Sequence, residues 1–216
     1  MSKRTYFLIA GGIILATLAL TLAVLPQLPS QVPVHWNAHN QIDQYGSKWT
    51  LVALLPGIMA GTICLMAVLP WLSPRRFQVD EPRHLYLALM DILLVFLAYF
   101  QVLMIVAALG RPLNMTRATF GGICLLFAVM GAVLPRLPRN FYVGIRTPWT
   151  IADERVWKAT HRFAGKAMMA AGVLAFVLAM VQTSIWPSMV LIMAAALAPV
   201  IHSLVFYKQL ERHGQV

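Results

Sequence analysis

The chain has 216 residues, of which 60% are hydrophobic and 11% are charged, whereas an ordinary globular chain is nearer ~25% charged. It carries a formal net charge of +10. This composition excludes an ordinary soluble domain and predicts an integral membrane protein.

Four apolar runs reach or approach the roughly 20 residues that a helix needs to cross the ~30 Å hydrocarbon core of a bilayer. They are Phe7–Leu25, Leu51–Leu72, Leu85–Leu109 and Ala118–Leu134, and their only charged residue is Asp91. A fifth run, 167–201, would be about 52 Å long as one helix. We therefore predict two helices there, with a break at 182–187, where Trp186 suits a membrane interface and Pro187 suits a helix start.

The predicted fold is an all-α integral membrane protein, a single domain over residues 1–216. Its six transmembrane helices are expected at approximately 6–25, 51–72, 85–109, 118–135, 164–183 and 186–207.

The basic residues predict that both termini are cytoplasmic, because Lys and Arg concentrate on that side of a membrane. Outside would lie only Lys48, Arg111 and Arg117. The cytoplasmic segments would hold Lys3, Arg4, Arg75, Arg76, Arg83, Arg136, Arg139, Arg146, Arg155, Lys158, Arg162, Lys166, Lys208 and Arg212. Topology and anionic membrane lipids then explain the positive charge, so no nucleic-acid partner is expected.

The outer loop, residues 26–50, is rich in side chains that hydrogen-bond or stack. His35, His39 and Asp43 are spaced four apart, which would align three metal ligands on a helix. Asn37, Asn40 and Gly46 are turn formers, however, and they argue against a helix. We therefore favour a hydrogen-bonded cap on the outer face over a metal site. The candidate residues of this loop are His35, Trp36, Asn37, Asp43 and Lys48.

The inner loop, residues 136–163, is a dense polar and aromatic segment. Thr150 and Asp153 are predicted to form a capping box. The helix that follows is predicted to be amphipathic and to lie in the cytoplasmic interface before the fifth span. The candidate residues are Asn140, Gly144, Arg146, Thr147, Pro148, Trp149, Thr150, Trp157, His161 and Arg162.

Within this loop, Gly144 and Pro148 impose a restricted path on the chain around Arg146. Arg146 offers a planar fork for a carboxylate, a phosphate or a backbone carbonyl, and we expect it to be more restricted in direction than Arg139. Two interpretations stay open. The loop is either an anchored elbow with arginines that reach the interface, or a site for a ligand or partner.

Inside the predicted spans, Asp91 and His202 lie at similar depth near the cytoplasmic side. They would form either a structural hydrogen bond or part of a proton path. Gly57–Gly61 is a GxxxG motif, which we expect to pack against an internal neighbour. The sequence shows no nucleophile–base or metal constellation, so we expect neither an enzyme nor a cofactor or metal.

Two separate segments resemble one family. Leu28–Asn37, with Ile42-Asp43 and Tyr45–Lys48, is similar to the amino-terminal segment of the SdpI family of bacterial membrane proteins. Asn140–Thr150, with Trp157, His161-Arg162 and Gly165-Lys166, is similar to that family's carboxy-terminal segment. In this order, with the predicted spans between them, the segments cover nearly the whole chain.

The resemblance implies a six-span protein of the bacterial cytoplasmic membrane. It implies immunity to an extracellular, membrane-active peptide toxin and signalling by a cytoplasmic repressor held at the membrane. The resemblance assigns the family's outer motif to His35, Asn37 and Asp43 of this chain. It assigns the inner motif to Asn140, Gly144, Arg146, Pro148, Trp149, Thr150 and Trp157. Asn40 stands where the family pattern leads us to expect Gly, which is tolerable because Asn also adopts left-handed geometry. The alternative is a small proton-coupled transporter or lipid-handling protein that uses Asp91 and His202.

Overall fold

The computed structural model describes residues 2–37, 39–72, 83–181 and 184–215. Within these ranges the chain forms seven α-helices and one antiparallel hairpin. They are α1 Lys3–Val24, β1 Gln31–Trp36, β2 Ile42–Ser47, α2 Trp49–Leu72, α3 Arg83–Ala108, α4 Met115–Val133, α5 Pro148–Ala152, α6 Glu154–Val181 and α7 Trp186–Arg212.

Six of the described helices are long and apolar enough to cross a membrane, which confirms the predicted helical multi-pass class. They are α1, α2, α3, α4, α6 and α7, and α7 begins at Trp186 with Pro187 in its first turn, as expected. The predicted start of the fifth span, at about residue 164, is wrong. The fifth span is not preceded by a separate interfacial helix, because α6 runs without interruption from Glu154 to Val181. Arg75, Arg76 and Gln182 lie outside the described residues.

The chain divides into two compact units, and the first comprises Met1–Val68 and Leu87–Gly122. It has two apolar clusters, one of which packs Val32 of the hairpin against Leu51, Met104 and Met115. The other unites Ala10 with residues of α2 and α3.

A buried amide adds a polar link inside the first unit. Gln101 donates from Nε2 to Thr21 Oγ1 at 3.0 Å and to the Leu51 carbonyl at 2.8 Å. Interhelical hydrogen bonds in membrane proteins contribute about 0.6 kcal/mol on average. This amide therefore orients α1, the start of α2 and α3 as well as stabilising them.

The hairpin is the element that sequence reasoning missed. Gln31 pairs with Ser47 and Trp36 with Ile42, and the register shifts on either side of His35. The signal was present in the alternating Val32, Val34 and Trp36, followed by turn-forming Asn residues and then by Ile42 and Tyr45. The loop that was predicted to be hydrogen-bonded therefore contains a β-hairpin.

The second unit comprises Leu69–Tyr86 and Ile123–Val216. Its helices α4 and α6 approach closely at glycines. A Cβ on Gly172 would lie 2.7 Å from the Cys124 carbonyl oxygen, and one on Gly165 would lie 2.8 Å from the Gly131 carbonyl oxygen. Small residues let membrane helices pack at this distance.

The GxxxG prediction was placed on the wrong helix. A Cβ on Gly57 or Gly61 would meet nothing within 4 Å. Neither glycine therefore mediates close helix packing within the part of the chain that the structure describes. The α4–α6 contact has that role in the second unit.

Candidate functional sites

Asn140 organises the start of the inner loop. Its side chain is 2% exposed. The amide nitrogen donates to the carbonyls of Pro138 (2.8 Å) and Val143 (3.0 Å), while Oδ1 accepts from the backbone N–H groups of Tyr142 and Val143, both at 2.8 Å. One buried side chain thus satisfies four groups of an irregular segment, which would otherwise be costly to bury.

His161 fastens the loop to α6. Its Nε2 accepts the Ile145 backbone N–H at 3.1 Å, and its Nδ1 lies 2.8 Å from the Trp157 carbonyl oxygen. The first bond requires an unprotonated Nε2 and the second a proton on Nδ1, so this geometry corresponds to the neutral Nδ1–H tautomer. Gly144 makes the approach feasible, because it has φ +117° and a Cβ there would overlap His161 Nε2.

Trp157 is part of the same buried cluster. It is 1% exposed, stacks on His161 with ring centroids 4.0 Å apart, and donates from Nε1 to the Leu137 carbonyl at 2.8 Å. The prediction that this stretch is an amphipathic interfacial helix is therefore wrong for Trp157. Its ring anchors the loop instead of facing a membrane interface.

Thr147, rather than Thr150, begins the capping box. Thr147 is the N-cap of α5, and its hydroxyl accepts the Thr150 N–H at 3.2 Å while Thr150 Oγ1 accepts the Thr147 N–H at 2.9 Å. Thr147 Oγ1 also lies 3.1 Å from Ser203 Oγ of α7, a contact that no sequence signal indicated. The predicted box between Thr150 and Asp153 is wrong because the chain turns at Asp153 between two helices.

Asp153 instead stabilises the start of α6. Its Oδ1 accepts the Arg155 N–H at 2.7 Å, and its Oδ2 lies 2.7 Å from Arg155 Nη2. The hydrogen bond from the Arg155 side chain is the main reason that the pKa of Asp153 is lowered from its ordinary value. A carboxylate at this position also complements the helix dipole.

Arg139 and Arg146, the two arginines of the inner loop, do not show the expected difference in restriction. Arg139 donates from Nη1 to the carbonyls of Ile151 (3.0 Å) and Ala152 (3.2 Å) at the end of α5. Arg146 donates from Nη1 to the Phe141 carbonyl and is exposed. Arg139 is therefore also held in place, and the prediction that Arg146 is the more restricted of the two is not supported.

The inner residues thus separate into a buried frame and an exposed rim. The frame contains Asn140, Thr147, Thr150, Trp157 and His161. The rim contains the exposed Arg146, Pro148 and Arg162 and the half-buried Trp149. The structure brings most of the predicted inner motif together, and it makes the rim the part that a partner can reach.

The outer hairpin pairs His35 with Asp43. His35 Nδ1 lies 2.5 Å from Asp43 Oδ1, and both side chains are exposed. His39 does not complete a cluster with them, and among the described residues no group of three His, Cys, Asp or Glu side chains is arranged to hold a metal. The half-buried Trp36 packs against the apolar cluster of the first unit.

The hairpin turn is tied to α4 by two asparagines. Asn40 has φ +61°, which confirms the expected left-handed geometry. Its Oδ1 accepts the Thr116 N–H at 3.1 Å, and Thr116 Oγ1 donates to the Asn37 carbonyl at 3.1 Å. Asn37 Oδ1 also accepts the N–H groups of His39 and Gln41, both at 3.0 Å. Glycine at position 40 could not make the contact with Thr116.

Lys48, the last residue of the predicted outer motif, has a helix-capping role. Its ammonium group donates to the carbonyls of Leu25 (3.2 Å) and Leu28 (3.4 Å), just after α1. A cation near the carboxyl end of a helix is favoured by the free carbonyls and the dipole.

Comparison with known proteins places both loops in recognised segments. Residues 136–206 match the model of the SdpI/YfhL protein family, and residues 12–60 match a domain of unknown function (DUF1648). A relative described as Immunity protein SdpI, from Bacillus subtilis, is 27% identical over 189 residues, which cover 87% of this chain and 88% of the relative. Over residues 136–206 the chain is similar to the SdpI/YfhL family, and along most of its length it is similar to one immunity protein. No solved structure matches it.

The SdpI/YfhL match includes the inner loop, α6 and most of α7, whereas the hairpin falls in the amino-terminal match. His202 lies within the SdpI/YfhL segment, and Asp91 lies in neither matched segment. His202 stacks between Phe163 and Phe206, with centroid distances of 4.7 and 6.1 Å. Among the described residues, Asp91 Oδ1 and His202 Nδ1 are buried without a hydrogen-bond partner.

Proposed function

We propose that this protein is a non-enzymatic immunity protein of the bacterial cytoplasmic membrane, which gives resistance to a membrane-active peptide toxin. The observation that supports the proposal is the similarity to an immunity protein along most of both chains. A match of that extent includes both loops and is more informative than a match to one helix pair.

In the proposed topology both termini and the inner loop are cytoplasmic, and the hairpin is outside. The distribution of basic residues supports this orientation. The hairpin would then present the exposed His35–Asp43 pair to the toxin, on a turn that Asn37 and Asn40 hold against α4. Such a surface is preorganised, which reduces the ordering cost of binding a peptide.

The proposed role of the inner loop is to bind a cytoplasmic repressor. The buried frame fixes the backbone, so the rim around Arg146 has a defined shape before any partner arrives. Planar guanidinium groups recognise carboxylates with two parallel hydrogen bonds, which a protein partner offers at Asp or Glu.

The immunity proposal is tested by expressing the protein in a toxin-sensitive bacterial strain. Survival under the toxin should rise, while a strain carrying the empty vector is killed. Unchanged killing, with the full-length protein verified in the membrane, would refute the immunity role. Repressor recruitment is tested separately by comparing the membrane-bound fraction of the repressor with and without the protein.

The rim is tested with Arg146→Lys, which keeps the charge but loses the planar fork. We expect reduced repressor recruitment or toxin protection, with Arg212→Lys as the control because Arg212 is exposed at the carboxyl end of α7 and is not part of the rim. Arg139→Lys is unsuitable as a control, since Arg139 contacts two carbonyls of α5. Equal activity of Arg146→Lys and Arg212→Lys, at equal membrane levels, would favour the anchored-elbow interpretation.

A second candidate is a proton-coupled transporter or lipid-handling protein that uses Asp91 and His202. The buried atoms without partners on these two side chains favour it. An ionisable group inside a membrane is costly, so such groups are found mainly where they have a function. Asp91→Asn should abolish transport while leaving the protein folded. Full activity of that variant would exclude the proton-coupled mechanism.

A further inference from the structure

A stripe of exposed side chains runs along one face of α6. Arg162, Lys166, Met169 and Val173 follow one another at intervals of four, three and four residues, which places them on the same side of a helix. Met169 is 39% exposed and Val173 is 55% exposed. The stripe therefore begins with two cations and continues as an apolar surface.

A third cation lies beside the first two. A Cβ on Gly165 would overlap Pro135 Cγ, so the turn that ends at Arg136 packs against α6 between Arg162 and Lys166. Arg136 directly follows Pro135 and is exposed. The α4–α6 contact thus brings the chain at the exposed Arg136 to the part of α6 that carries Arg162 and Lys166.

The described acidic side chains of this unit do not neutralise the three cations. Asp153 contacts Arg155, Glu154 lies 2.6 Å from Lys158, and Glu211 lies 2.7 Å from Lys208. Each of these acids is therefore paired with a basic residue close to it in sequence. Among the residues that the structure describes, the head of the stripe therefore keeps a positive charge that suits an anionic group.

We propose that this surface binds an anionic phospholipid, with its phosphate on Arg136, Arg162 and Lys166 and an acyl chain along Met169 and Val173. The positive charge at the head of the stripe complements the phosphate. The apolar residues follow the cations along α6, just as the acyl chain follows the headgroup in a phospholipid. An anionic segment of a protein would use the cations without requiring the exposed apolar continuation. This site shares Arg162 with the rim of the inner loop, but the lipid proposal does not depend on the immunity role.

The test uses the purified full-length protein in detergent, titrated with phosphatidylglycerol and analysed by native mass spectrometry. Removing one cation near an anionic lipid surface weakens binding about five-fold. Arg162→Gln should therefore lower the affinity about five-fold and the triple variant with Arg136→Gln and Lys166→Gln about 100-fold. Lys208→Gln removes one charge of the Lys208–Glu211 ion pair, which is not part of the proposed site, and should bind as the unchanged protein does.

Two further arms separate the lipid from other ligands. Phosphatidylcholine should bind weakly, and inorganic phosphate at matched concentration should not displace phosphatidylglycerol. Arg162→Lys, which keeps the charge, should retain binding and shows that a loss in Arg162→Gln is not due to misfolding. The proposal is overturned if the triple variant keeps its affinity, if phosphatidylcholine binds equally well, or if free phosphate displaces the lipid.

Discussion

Replacing Gly144 with Ala is predicted to detach the inner loop from α6. Two costs add. A non-glycine residue at φ +117° is strained by about 1–3 kcal/mol. The new Cβ would also overlap His161 Nε2, which must move away from the Ile145 N–H. Leaving these buried groups unpaired costs about 1–3 kcal/mol more, so the total loss of folding free energy is about 2–6 kcal/mol.

Gly110→Ala is a matched control. Gly110 also has a positive φ, +70°, but a Cβ there would meet nothing within 4 Å. It should cost only the backbone strain, about 1–2 kcal/mol. The difference between the two variants therefore removes most of the general cost of replacing a glycine and leaves the steric effect on His161 together with the larger backbone strain at φ +117°.

The assay is thermal unfolding in detergent combined with hydrogen exchange of the peptide that contains Ile145. Gly144→Ala should unfold at a lower temperature than Gly110→Ala, and its Ile145 amide should exchange faster than in the unchanged protein. The Ile145 amide should exchange at its original rate in Gly110→Ala. If both variants lose the same stability and Ile145 stays protected in both, the assigned role of His161 is wrong.

Three further changes test other contacts. Asn40→Gly keeps the left-handed backbone but loses the bond to the Thr116 N–H, so it should destabilise the protein by about 1 kcal/mol in an unfolding measurement. No loss of stability would show that the contact between the hairpin and α4 is unimportant. Gly172→Ala places a methyl group 2.7 Å from the Cys124 carbonyl and should lower the unfolding temperature, whereas Gly61→Ala, in open space, should not. Equal effects would contradict the α4–α6 packing. Trp157→Phe removes the bond to the Leu137 carbonyl and should cost about 1–3 kcal/mol, with faster exchange around residues 137–143 as the local readout.

The six spans were predictable because hydropathy and helix length are properties of contiguous residues. A run such as 85–108 must satisfy its backbone within itself when it is surrounded by lipid, so its sequence alone predicts a helix. The left-handed conformation of Asn40 was expected from the family resemblance, because that pattern led us to expect Gly there and Asn also adopts this geometry.

The candidate sites depended on contacts between distant residues. Thr147 meets Ser203, which is 56 positions away, and Asn40 meets Thr116, which is 76 positions away. Sequence reasoning had no signal for either contact. It also placed Trp157 at a membrane interface, because an aromatic residue beside basic ones is typical of that location.

The sequence by itself determined the membrane class, the helical spans and the two loops that carry the polar residues. Only the tertiary structure decided which of those residues are buried in the frame and which are exposed. The physical reason is that an arginine or histidine bonds whichever carbonyl or N–H the folded chain brings within about 3 Å. Arg139 donates to a carbonyl at the end of α5, and His161 accepts the Ile145 N–H, because the packing of the loop on α6 brings these groups within hydrogen-bond distance.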